Sequence, residues 1–378
     1  MKELPEGFAP LSGWDEYPIH QAVTPIRYTQ TIDPRAFERY WFTAQPRDGS
    51  FLLVTGMGFY PNLGIADGYA LLVIGERQIT VRAQRPLSAD RARLAVGPVR
   101  AEPVKPFAEW RLELDDNEHG LRYDLRWRDT KRASFRKMDL TRRPGAPADI
   151  HLQHDWGGYE TFGTIEGWIE WEGGRIDLSP DMVVGSRDHH WGVRDGVGGF
   201  SINRQGKAHS HLGQWVEFKD WGLWGDRILY NIGDMSSGPQ YCERVDNQID
   251  FDPVTKHFRG AVITNLLNNG ETRKVRFRLT GNTTAYLRCV GYTSPDGKGT
   301  PTGNHHHGYD LGGATFCESY DLSDPAIRQE IAGFEDHLCF VEYEGETTIG
   351  IFECCNPMLY AMCAAGIPSY RFLEAPGA

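Results

Sequence analysis

The segment Gly185-Ser186-Arg187-Asp188-His189-His190-Trp191-Gly192-Val193-Arg194 groups two arginines, an aspartate, two histidines and a tryptophan between glycines. A solvated loop would be richer in Lys, Ser and Asn, and a plain core strand would not carry so many ionisable groups. Such clusters persist where charges are paired and partly buried, at an active site or where two halves of a protein meet. The residue types suit acid–base work on an apolar molecule. A carboxyl group in apolar surroundings stays protonated near neutrality. A histidine positions water or takes up a proton, and an indole face stabilises an adjacent cation. The competing reading is an ion-pair corner in which Arg187, Asp188 and Arg194 lock two halves of the chain together.

The elements that would position this segment are strands. In Leu121-Arg122-Tyr123-Asp124-Leu125-Arg126-Trp127-Arg128 apolar and charged residues alternate, as they do in Lys274–Leu279 and from Ile165 to Glu172. Period-two alternation predicts half-buried antiparallel strands. Further strands are expected at Phe51–Thr55, Tyr69–Ile74, Gln78–Ala83, Trp110–Leu114, Phe258–Thr264, Leu338–Tyr343 and Thr347–Phe352. Glycine turns such as Glu172-Gly173-Gly174-Arg175 and Glu344-Gly345-Glu346 separate several of them. With 43 glycines and 22 prolines there is little room for long helices. Short ones are expected at Asp33–Trp41, Ala89–Leu94, Pro325–Ile331 and Asn356–Ala364.

Two blocks of similar strand density, roughly 25–180 and 195–355, flank the central segment. The expected fold class is all-β: two antiparallel barrels or strongly curved sheets packed side by side, divided into residues 1–180 and 181–378. Trp156, Trp168, Trp191, Trp215, Trp221 and Trp224 crowd the middle of the chain. They pack the core or line a hydrophobic ligand site; Trp156, Trp168, Trp215, Trp224 and Tyr230 are the candidate substrate contacts.

A net charge of -11 disfavours nucleic acid and anionic membranes as partners. Basic residues do recur from Arg122 to Arg143, but Asp124, Asp129 and Asp139 interleave with them. No apolar run approaches a membrane span and mean hydropathy is -0.48, so no integral membrane segment is expected. The start of the chain lacks a signal-like apolar stretch, which points to the cytoplasm. Seven cysteines without C-x-x-C spacing suggest reduced, mostly buried thiols. Sheet edges and surface aromatics are compatible with a homodimer.

Several motifs are absent or fail. There is no G-x-S-x-G, H-E-x-x-H or G-x-G-x-x-G. Asp296-Gly297-Lys298-Gly299-Thr300 lacks the serine or threonine and the upstream glycine of a phosphate loop. Asn282-Thr283-Thr284 is a formal sequon without a secretory route. His151, His154 and His305-His306-His307 could supply metal ligands for a hydrolase, although adjacent imidazoles do not converge on one ion easily. The expectation is no metal and no cofactor.

Gly185–Arg194 resembles the signature Ser-Arg-Asp-His-Ser-Trp-Gly-x-Arg of the carotenoid 1,2-hydratase family and its AttH-like relatives. Tyr17-Pro18-Ile19-His20-Gln21, Gly56-Met57-Gly58-Phe59-Tyr60-Pro61-Asn62 and Val96-Gly97-Pro98-Val99-Arg100 look like recurrent blocks of its bacterial members. The resemblance covers roughly the first 200 residues. It implies two lipocalin-like β domains joined near the motif, with neither metal nor organic cofactor. Family catalysis maps onto His189 and Trp191, with a downstream acid for which Asp226 is the first candidate and Glu217 or Asp234 the alternatives. His190 replaces a small hydroxyl residue and adds an imidazole. Arg187 and Arg194 are expected to orient Asp188 through bidentate hydrogen bonds. The function implied is a cofactor-independent lyase or isomerase, hydrating, dehydrating or cyclising at a C=C bond of a terpenoid, steroid or aromatic molecule. The alternative is a non-catalytic carrier of an apolar ligand.

Overall fold

The computed structural model describes residues 16–19, 29–137, 155–200, 212–234, 240–292 and 306–373. The N-terminal half supplies β1 (Ala36–Pro46), β2 (Phe51–Tyr60), β3 (Ile65–Ile74), β4 (Arg77–Pro86), β5 (Ala95–Val96), β6 (Val99–Lys105) and β7 (Glu109–Leu114). It continues through β8 (Arg122–Asp129), β9 (Ser134–Lys137), β10 (Asp155–Trp171), β11 (Gly174–Leu178) and β12 (Val183–Val193). A second unit holds β13 (Leu212–Glu217), β14 (Trp221–Trp224), β15 (Arg227–Tyr230), β16 (Gln240–Phe251), β17 (Phe258–Leu267) and β18 (Thr272–Tyr286). The chain then returns to the first sheet as β19 (Thr315–Asp321). After helix α1 (Pro325–Ile331) it goes back as β20 (Glu335–Tyr343) and β21 (Glu346–Cys354), and ends in α2 (Asn356–Ala364) and β22 (Tyr370–Phe372).

The first sheet runs β19-β4-β3-β2-β1-β12-β10-β8-β7-β6-β5, with β9 and β11 also paired to β10. It is open but curls over its own inner face, so that Val96 and Val99 pack onto Gly68 of β3. The second runs β15-β14-β13-β21-β20-β18-β17-β16, and pairing of β15 with β16 closes these eight strands into a barrel. The molecule is thus the expected all-β pair of lipocalin-like units. Alternation explains the cores. Tyr40, Phe42, Met57, Leu72, Trp110 and Trp127 fill the inner face of the first sheet, and Phe258, Val275, Phe277, Val341 and Phe352 fill the barrel. A third cluster lies between the units, where Trp41, Leu52, Leu71 and Phe162 meet Trp215, Trp224, Leu338 and Ile351.

All the expected strands are present, as are the helices at Pro325–Ile331 and Asn356–Ala364. Two expected helices are not. Ala89–Leu94 is a turn region, and Asp33–Trp41 runs into β1. β1 lies between β2 and β12 and is buried along its whole length. Its charged residues therefore fall on both buried faces and mimic a helical pattern. β12 pairs with β1 and β10, so the first sheet extends to Val193, and β19 rejoins it from the second half of the chain. All seven cysteines are free, and all but Cys317 are buried. Among the described residues no helix is long and apolar enough to cross a membrane.

Candidate active site

β12 is a central strand of the first sheet, and its alternation splits the motif between two faces. Arg187, His189 and Trp191 point to the inner face, while Asp188 and His190 point toward the barrel, as their neighbours show.

On the inner face Arg187 is fully buried and bonds Asp129 through Nε and Nη2 at 2.9 and 2.7 Å. It also reaches both carboxylate oxygens of Glu16, at 3.2 and 3.4 Å. Glu16 further accepts from the Trp110 indole at 2.6 Å, from Phe107 N and from the Tyr159 hydroxyl. His189 is completely buried, with Nε2 2.9 Å from Glu38, Nδ1 3.2 Å from the Tyr159 hydroxyl and its ring stacked on Tyr40. Burial works against the Arg187 charge, but Asp129 and Glu16 hold its pKa well above the ordinary arginine value. The expectation that Arg187 orients Asp188 is not met, because Arg187 bonds Asp129 and Glu16 instead. Neighbouring residues of a strand project to opposite faces.

The face toward the barrel carries a polar band. In register across the sheet lie Gln84, Asp67, Gly58, Arg39, His190 and Gly158, with Tyr69, Gly56, Trp41, Asp188 and Glu160 in the next row. A Cβ on Gly158 would collide with the His190 ring, and one on Gly58 with the Tyr60 hydroxyl. Glycine here leaves room for those polar groups. His190 bridges two carboxylates, with Nε2 2.8 Å from Glu160 and Nδ1 3.4 Å from Asp188. Glu160 is itself paired with Arg227. Burial raises the Glu160 pKa, but Arg227 and His190 outweigh it and hold the group below its usual range.

Asp188 behaves oppositely. Burial pushes its carboxyl up to about 6, against the pull of His190 and with help from the Glu160 charge. Yet 17% of its side chain is accessible, and 12% of that of His190. The pair is thus partly accessible, at a cleft where the sheet faces the barrel, rather than sealed in core. Trp156 packs edge-on to His190 at 4.9 Å. The barrel side contributes Tyr292, whose hydroxyl is 3.2 Å from that of Tyr69 and whose ring stacks on Phe334. His307 packs against Tyr69 and Tyr292. Burial, reinforced by the nearby Arg39 charge, lowers its pKa to about 3, so the ring is neutral. The second unit also directs Asp336 and Glu353, paired across β20 and β21, to this side. Burial drives the Asp336 pKa far up.

The structure therefore brings Asp188, His190, Trp156 and Arg194 together and sets His189, Trp191 and Arg187 on the opposite side of the sheet. Trp191 packs there against Phe135, Tyr159 and His189. Trp215 and Trp224 join Trp41 in a buried cluster with centroids 5.1–5.6 Å apart, part of the seam between the units. Trp168 lies under Arg175 on the β10–β11 hairpin. Tyr230 bonds Gln240 at the edge of the barrel. Asp226 pairs with Arg136 and has 38% of its side chain accessible, whereas a proton donor needs apolar surroundings. Glu217 is tied to Lys131 at 2.8 Å, and Asp234 lies in the turn after β15. His151, His154 and His305 lie outside the described residues. Among the described residues no group of three or more His, Cys, Asp or Glu could hold a metal ion.

Sequence reasoning passed over Arg39, Glu160, Tyr292 and the Asp336–Glu353 pair. Charges inside the apolar run of β1 were the available signal for Arg39. Nothing in the chain around Tyr292 distinguishes it before the two units are docked.

A family model described as "Family of unknown function (DUF8625)" matches residues 11–224. The chain belongs to this family. The match takes in β1–β12 and the start of the barrel, and so the strands that carry the polar band. No curated protein matches the sequence. Among solved structures, CghA is similar with a TM-score of 0.44 and 11% identity, covering 90% of this chain and 95% of its own. An AttH-type protein of Nitrosomonas europaea gives 0.41 and 10%, over 85% and 92% of the two chains. Kievitone hydratase from Nectria haematococca gives 0.43 and 8%, over 93% and 98%.

Proposed function

We propose that the protein is a cofactor-independent lyase or isomerase that works by acid–base catalysis on a C=C bond of a hydrophobic small molecule, in the cleft between the sheet and the barrel. The observation that carries this reading is Asp188, a carboxyl held near a pKa of 6, accessible, and 3.4 Å from a histidine anchored by a second carboxylate. Protonated Asp188 delivers its proton to an alkene carbon and becomes a carboxylate, leaving a carbocation on the neighbouring carbon. Water adds to the cation, and the proton it sheds returns to Asp188 through His190, so the net change is H and OH across the double bond. If a second double bond of the substrate captures the cation, the outcome is cyclisation. The reverse sequence is dehydration. Trp156 offers a π face to the cation, worth roughly 0.5–2 kcal/mol. His189 and Trp191, which the motif resemblance marks for catalysis, act in this reading from behind, holding β12 in place.

The test is turnover of a terpenoid, steroid and aromatic alkene panel in water enriched in deuterium and heavy oxygen. Wild-type protein is expected to place deuterium on carbon, with heavy oxygen where water is the nucleophile, and Asp188→Asn is expected to lose both. Label uptake by Asp188→Asn at the wild-type rate would overturn the assignment. An apolar molecule recovered unchanged from both proteins, with no label in any panel member, would replace it with the carrier reading.

A further inference from the structure

Among the described residues two arginines in the cleft make no salt bridge, although the charges of Asp67 and Asp188 act on Arg39 and that of Asp188 on Arg194 from a distance. Arg39 is only 4% exposed, yet its Nε and Nη1 are buried without a hydrogen-bond partner. Each carboxylate of the band is committed elsewhere. Asp67 accepts from the Tyr60 hydroxyl at 3.0 Å and from Gly308 N at 2.8 Å, with His307 Nδ1 at 3.5 Å. Asp188 faces His190, and Glu160 is held by His190 and Arg227. The Arg39 guanidinium lies instead over the Tyr292 ring, 4.7 Å from its centroid. Arg194 likewise lies over Phe37 and Trp156, at 5.0 and 5.9 Å, and its side chain makes no ion pair or hydrogen bond among the described residues. Burial and the charge of Arg39 together lower the Arg194 pKa to about 10.

Buried guanidinium groups are ordinarily paired, and leaving N–H groups dry and unmatched is costly. Two such groups in one cleft mark a place where a bound molecule supplies the missing acceptors. We propose that Arg39 and Arg194 form a receptor for a carboxylate on the hydrophobic substrate, holding its double bond against Asp188. This rests on the lyase or isomerase reading of the same cleft. A carboxylate matches the planar fork of a guanidinium. The nearby Asp67 and Asp188 disfavour a doubly charged head group such as a phosphate monoester. Phe37, Trp156 and Tyr292 already cover the arginines with aromatic surface, which suits an apolar body beyond the head. The substrate's own anion would also cancel the positive field that otherwise opposes a carbocation here.

The experiment measures binding rather than turnover, so its failure is separable from failure of the catalytic reading. Naphthoate, the neutral naphthamide and naphthyl phosphate are titrated calorimetrically into wild type, Arg39→Gln, Arg39→Lys, Arg194→Gln and Asp188→Asn. Wild type is expected to bind naphthoate about tenfold more tightly than the amide, and Asp188→Asn, which removes a nearby negative charge, to show at least that preference. Arg39→Gln should lose that preference, Arg39→Lys should keep part of it, and Arg194→Gln should reduce it. Circular dichroism checks folding, and the more accessible Arg194 gives the readout if Arg39→Gln does not fold. Equal binding of naphthoate and amide by wild type, or a preference that survives in both glutamine variants, would overturn the proposal. Tighter binding of the phosphate would overturn the choice of carboxylate.

Discussion

Asp188 is held in a state that the unfolded chain would not choose. Its ordinary pKa of 3.8 rises to about 6 in the fold, so the folded protein binds the proton more tightly than the unfolded one. The associated stability is fully present below pH 3.8, declines as pH rises through 6, and is absent above it. Asp188→Asn is therefore expected to stabilise the protein at pH 7.5 by on the order of 2 kcal/mol and to have little effect at pH 4, as thermal melts would show. If protonated Asp188 is the donor, the rate should be level below about pH 6 and fall roughly tenfold per pH unit above it. The same variant should lose at least ~100-fold in turnover. A more stable but inactive variant would identify a group retained for chemistry rather than for folding. At this scale the grouping of ionisable residues in the central motif was legible, because such residues between glycines are rare inside a strand. Which members share a face was not read. Strand alternation sends Arg187 and Asp188 to opposite sides, so the motif is two clusters back to back rather than one.

β12 is a wall with two finished surfaces. Behind it, Arg187 neutralises Glu16 and Asp129 in full burial, and His189 is held at both ring nitrogens. Truncating one partner leaves the others charged and dry. Arg187→Met is expected to destabilise the protein by about 3–5 kcal/mol in denaturant titration, well beyond the effect of changing an exposed arginine such as Arg128. His189→Ala should cost stability and lower activity only to the extent that the melting temperature falls. A selective loss of activity in a fully folded His189→Ala would return that residue to the chemistry. Element by element, alternation in Leu121–Arg128 and Ile165–Glu172 predicted strands that the structure contains. It failed at Asp33–Trp41, since a strand buried on both faces has no polar side to alternate with.

The two units are joined by more than the seam. The chain passes from sheet to barrel after β12, returns for β19 and leaves again for β20. At their contact Trp41 meets Trp215 and Trp224, all three less than 8% exposed. Trp215→Ala is expected to cost about 3–5 kcal/mol. Combined with Trp41→Ala it should cost less than the sum, because the rings share one contact. A fragment ending at residue 200 lacks β19 and leaves Trp41 uncovered, so it should aggregate or remain unfolded when expressed alone. The pairing of distant strands such as β19 with β4 was beyond sequence reading, since alternation gives a strand its faces but not its neighbours.

This threading has a consequence for how molecules come and go. Two lobes linked by a single strap can swing apart, admit a guest and snap shut. Here three spans of backbone stitch the lobes, and the β19 return anchors the far margin, so the gap between them behaves as a cast mould. If the proposed reaction takes place in that gap, selection would happen on the way in, by outline and charge, and the tempo of exchange would be set by side chains stepping aside at the mouth rather than by the whole molecule yawning open.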